Sequence, residues 1–108
     1  MISWHRDLEN ARSAGEIVQT TRDFLATFSA TELACLPETH RPREVRSEDD
    51  VRDWSRRLTD EYWRQRAAGG ELGTMQELWS FFLRASIQLA RLDAATRERL
   101  YGRSAEAA

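Results

Sequence analysis

The chain has 108 residues, 16 basic against 18 acidic side chains, a formal charge of −2 and 41% apolar residues. That length suits one domain, and the apolar fraction belongs to a globular protein rather than a disordered one. The near-balanced charge lacks the basic footprint that counterion release on nucleic acid requires, so nucleic-acid binding is disfavoured.

Ala, Leu, Arg and Glu outnumber β-branched residues, and all four favour helix. The chain has no Lys; every cation is Arg. Codon bias in a GC-rich bacterial genome is the expected cause, and the absence of Lys alone supports no function. Up to Arg46 there are six Arg against seven acids, and beyond it ten against eleven, so neither part is a basic arm or an acidic tail. Cys35 stands alone and cannot close an internal disulfide. Residues 1–7 carry no apolar run of signal-peptide length, and a cytoplasmic location is expected.

The first helix is expected from Ser3, as N-cap, to about Arg12, with Trp4, Leu8 and Ala11 at i, i+4 and i+7. Ser13 and Gly15 weaken it, and Ser13-Ala-Gly-Glu16 has the pattern of a capping box for the next helix; one long bent helix is the alternative. The second helix covers about Ala14 to Phe28. Ile17, Thr21, Phe24, Leu25 and Phe28 share its core face. Ser29-Ala-Thr-Glu32 opens a short helix over about Thr31 to Cys35, which Pro37 ends by forcing Leu36 out of the helical region. From Pro37 to Arg46 there is no periodicity, and the longest loop is expected there.

Ser47-Glu-Asp-Asp50 starts the next helix. Val51, Trp54, Leu58 and Tyr62 form its stripe, with acids at its start and Arg64 and Arg66 at its end, as the helix dipole favours. Ala67-Ala-Gly-Gly70 ends it, with Gly69 or Gly70 suited to a left-handed cap. Thr74-Met-Gln-Glu77 is read as a further capping box. The helix behind it, about Thr74 to Leu92, is apolar over most of its circumference: Met75, Leu78, Phe82, Ala85, Leu89 and Leu92 form the main stripe, widened by Trp79, Leu83, Ser86, Ala90 and Phe81. Glu77, Arg84 and Arg91 within it do not suit a membrane span. A final turn or two, at about Ala94 to Tyr101, ends near Gly102, and 103–108 is expected to fray. The reading is a single helical domain over 1–102, a small bundle of four main helices and one short one, with the 74–92 helix central.

Trp63 is the most informative residue. It points roughly 135° from the centre of its helix's stripe, among Arg52, Arg56 and Thr59. A large aromatic on a charged face suits an interface anchor, with Arg56 beside it; alternatively it lies under the Gly69–Gly73 loop or stacks on Arg56. Leu83 and Ile87 are i, i+4 neighbours on the flank of the central helix, covered either by the first helix or by another subunit. A protein partner, including a second copy of the chain, is therefore expected at Trp63, Arg56, Leu83 and Ile87.

His40, Arg41, Arg43 and Arg46 in the long loop offer an alternative, an anion or nucleic-acid site, although Glu38 and Glu44 balance much of that charge. Catalysis has little support. Cys35 near His40 could form a thiol–imidazole pair, but Cys35 falls at a helix C-terminus, where the dipole disfavours a thiolate. His5 and Glu9 share a face without the further ligands that zinc needs, and no phosphate-binding Gly-rich loop occurs. The expectation is a non-enzymatic module without metal or cofactor. A helix-turn-helix is disfavoured because the helix after Gly73 presents Trp79, Phe81, Phe82 and Leu83 where base-reading polar groups belong.

Overall fold

A computed structural model describes residues 4–34, 36–42, 44–70 and 72–102, the last two without their side chains. Ser3, Cys35, Arg43 and the 103–108 tail, all named above, lie outside the described residues. The elements are α1 (Trp4–Asn10), α2 (Ala14–Leu25), α3 (Ala30–Leu33), a 3₁₀ turn (Glu38–His40), α4 (Glu48–Ala67), α5 (Gly73–Arg97) and a closing π-helical turn (Glu98–Gly102). The fold is all-α, with no strand among the described residues.

Local chemistry accounts for most boundaries. α1 and α2 are separate helices rather than one bent rod. Ser13 is extended and its Oγ accepts from the Glu16 N–H at 3.2 Å. The Glu16 carboxylate reaches one residue further back than a full capping box would, to the Arg12 N–H at 2.7 Å. The box at Ser29 is complete, with Ser29 Oγ accepting from Glu32 N–H and Glu32 accepting from Ser29 N–H. At the start of α4, Ser47 makes no side-chain cap; Asp50 instead accepts from the Arg46 N–H at 2.9 Å. The end of α4 is a Schellman motif: Gly69 has φ +78°, its N–H bonds Arg66 O, and the Gly70 N–H bonds Gln65 O.

One expectation about the start of α5 is corrected. The Thr74–Glu77 box does not form, because the helix begins one residue earlier, at Gly73, with Leu72 in the N-cap position and no side-chain cap. The final turns expected at about Ala94 to Tyr101 are present but continuous with α5, which runs unbroken to Arg97 because Asp93-Ala-Ala-Thr-Arg97 contains neither Gly nor Pro to stop it; the closing turn then ends at Gly102. Residues 93–100 are all exposed, so this end of α5 projects past the bundle.

α5 is the centre of the bundle, touching α1, α2 and α4. Met75, Leu78, Phe81, Phe82, Ala85 and Leu89 are buried against Leu8, Ile17, Phe24, Val51, Leu58 and Tyr62. Phe24 and Phe81 stack at 4.0 Å and 6°, and Trp4 meets both edge-on. The segment between α3 and α4 is pinned rather than solvated: Leu36, Pro42 and Val45 are buried. No periodicity announces this, because three single residues in irregular backbone define no face.

Candidate functional site

Among the described residues, the exposed large apolar ones are Trp63, Ile87 and Leu100, at 53%, 45% and 64%. Trp63 flanks the contact between α4 and α5. Tyr62, on the α4 core stripe, stacks on Trp79 of α5 at 3.9 Å and 7°. Trp79 Nε1 donates to Thr59 Oγ1 at 3.1 Å, and Thr59 Oγ1 donates onward to Ser55 O at 2.7 Å. One position past Tyr62 on α4, Trp63 is turned outward and meets both rings edge-on, at 5.2 Å to Tyr62 and 6.4 Å to Trp79. Its ring is thus held at one edge while its face stays open.

Arg66 lies across that ring, its guanidinium 5.3 Å from the centroid, with Nη1 3.4 Å from Tyr62 Oη. Arg56, expected in this role, is instead bound to Asp53 at 2.7 Å. The reason is helix geometry. Side chains lean toward the helix N-terminus, so Arg66 leans back over Trp63 while Arg56 leans away from it.

Leu83 and Ile87 follow Trp79 at i+4 and i+8. Each step of four residues rises about 6 Å and turns about 40°. The strip therefore starts beside α4 at Trp79, passes the half-buried Leu83, and reaches Ile87 at the edge of α1. α1 covers part of that flank: Gln88 Nε2 lies 3.5 Å from the carbonyls of Glu9 and Ala11, near the end of α1. Ile87 borders a shallow recess with His5, Leu8 and Arg84 and stays nearly half exposed.

Among the described loop residues, His40, Arg41 and Arg46 do not converge. Arg41 points inward, Nε donating to Leu36 O at 2.8 Å and Nη2 to Ala34 O at 3.4 Å, so it holds the chain leaving α3. His40 Nδ1 is 3.0 Å from Thr39 Oγ1. Arg46 faces solvent beside Glu44 at 4.0 Å. No group of three or more His, Cys, Asp or Glu among the described residues is placed to hold a metal ion, and no described helix is long and apolar enough to cross a membrane.

Two features escape sequence reasoning. Glu61 is buried on α4, held by Arg64 and, at 2.9 Å, by Gln65. The bond from Arg64 is the main reason its carboxyl drops from 4.5 to about 2, with Gln65 and the charges of Arg64 and His40 adding to it against burial. The i, i+3 and i, i+4 spacing to Arg64 and Gln65 was readable; the burial was not. The second feature is an open cleft of about 900 Å³ among α1, the end of α2 and the first half of α5. Trp4, Phe24, Phe28 and Phe81 form its floor, and Glu77 and Ser80, from the polar strip of α5, form part of its rim.

No family model, curated protein or solved structure matches this chain.

Proposed function

We propose that this chain is a non-enzymatic helical module that binds another protein along the α4–α5 surface running from Trp63 to Ile87. The observation that carries the reading is Trp63: more than half exposed, yet with its ring held by Tyr62, Trp79 and Arg66. An aromatic held in place before binding loses little side-chain entropy on contact, and Trp, Tyr and Arg are the residues that dominate interface energetics. Leu83 and Ile87 extend the apolar surface along α5. The single cysteine suits a reducing compartment, and we place the module in the cytoplasm.

The test is comparative capture with the wild-type, Trp63→Ala and Ile87→Asp chains, quantified by mass spectrometry, with sedimentation of each chain alone. A protein retained by wild type and lost from both variants, at unchanged melting temperature, is the expected result. Equal retention by all three chains overturns the reading. A wild-type dimer that both variants break makes the partner a second copy.

A further inference from the structure

The partner's chemistry can be read from the cations of α4, on the reading that Trp63 to Ile87 is the contact surface. α4 carries five arginines. Four are matched to carboxylates: Arg52 to Glu48 and Asp49, Arg56 and Arg57 to Asp53, Arg64 to Glu61. Arg66 alone pairs with no carboxylate among the described residues, and it lies over the most exposed aromatic ring of α4. Its remaining N–H donors are poised for a planar acceptor arriving beside an apolar group on Trp63.

The shape of the surface selects the partner's backbone. No strand exists among the described residues, so an incoming strand finds no edge to extend. Trp63 on α4 and Leu83 and Ile87 on α5, the last at the edge of α1, instead run along the helices over roughly two turns, with about 12 Å of rise from Trp79 to Ile87. Another helix laid along such a surface presents apolar residues at i, i+4 and i+7, as in helix-in-groove recognition. We infer that this surface receives an amphipathic helix of another protein that carries a carboxylate at the border of its apolar face, opposite Arg66.

Two synthetic peptides test this. One is an amphipathic helix with Leu at i, i+4 and i+7 flanked by Glu; its twin has Gln at every Glu. Binding to the wild-type, Arg66→Gln and Trp63→Ala chains is followed by anisotropy of a label on the peptide, at low and high salt. The expected result is a preference of about tenfold for the Glu peptide on wild type, weakened by salt and abolished by Arg66→Gln. Equal affinity for the two peptides, or a preference that survives Arg66→Gln, overturns the carboxylate inference while leaving the contact surface standing. Binding untouched by Trp63→Ala overturns the contact surface itself. Binding of neither peptide overturns the inference, as does a dimer of the chain alone that Trp63→Ala dissociates, which assigns the surface to a second copy.

Discussion

Tyr62 and Trp79 stack face to face across the α4–α5 contact, 3.9 Å between ring centroids and 7° from parallel. The pair joins core to surface: Tyr62 is buried, Trp79 is half-buried, and Trp63 leans its edge on both. The hydrogen bond from Trp79 Nε1 to Thr59 fixes the indole's rotation, and with it the angle at which Trp63 is shown to solvent. Trp79→Ala removes a stacked ring and a hydrogen bond together. The expected loss is about 2–4 kcal/mol by urea denaturation. Trp79→Phe keeps most of the stack and forfeits the hydrogen bond, for about 1 kcal/mol.

Trp63→Ala behaves differently. The ring is more than half exposed, so unfolding recovers little buried area from it, and the expected cost is about 1 kcal/mol or less. Intrinsic fluorescence should lose its most solvent-accessible component, seen as reduced acrylamide quenching of the remaining three indoles. A loss of stability equal to that of Trp79→Ala would mean that Trp63 is a packing residue.

What was legible follows from what is local. Trp63's outward direction is fixed by its register with Val51, Leu58 and Tyr62, and the wheel reports it. The breaks at Ser13 and Ser29 are carried by side chains three residues away, so they too were readable. Arg56 was misassigned because a wheel gives angle without lean: the two arginines share the charged side of α4, but only the one C-terminal to Trp63 reaches back over it. The Thr74 box lost to an earlier start after Gly69 and Gly70, a choice made by the inter-helix turn rather than by the four residues of the box. The cleft above Phe28 and Phe81, and the burial of Leu36 and Val45, depend on contacts between segments far apart in sequence, which no window of residues contains.

Phe81 is the clearest core test. It is 2% exposed, stacks on Phe24, and meets Trp4 and Phe82 edge-on. Phe81→Ala is expected to cost about 3–5 kcal/mol, since the rigid rings around it relax poorly into the space. Phe81→Leu should recover roughly half of that. Thermal unfolding of the two variants checks both the size and the order.

α5 should be stable in two parts. Residues 75–89 carry the buried stripe, whereas 93–100 are exposed and held by local bonds only, such as Thr96 Oγ1 to Leu92 O at 2.9 Å and the Asp93–Arg97 pair at 3.4 Å. Amide hydrogen exchange is therefore expected to show near-global protection for Leu78 to Leu89. Protection should fall by several orders of magnitude beyond Asp93, where fraying opens the helix without unfolding the bundle. Uniform protection to Arg97 would show that another chain covers the projecting end.

Glu61 contributes to the acid sensitivity of the fold. Its carboxyl titrates at about 2 in the folded chain against 4.5 as an ordinary glutamate, chiefly because Arg64 bonds the charged form. A carboxyl whose folded pKa is depressed takes up protons more readily when unfolded, so acid favours unfolding. Its stabilisation is complete above pH 4.5 and drains away as pH falls toward about 2. Because Arg64 is largely solvent-exposed, screening reduces the pair's worth, and a contribution on the order of 1 kcal/mol is expected. Glu61→Gln keeps the shape and a hydrogen-bond acceptor while removing the charge. Its urea midpoint should lie below wild type at neutral pH and converge on it near the acid end. Parallel curves for the two chains across that range would show that the carboxylate at position 61 is not what the folded state holds against acid.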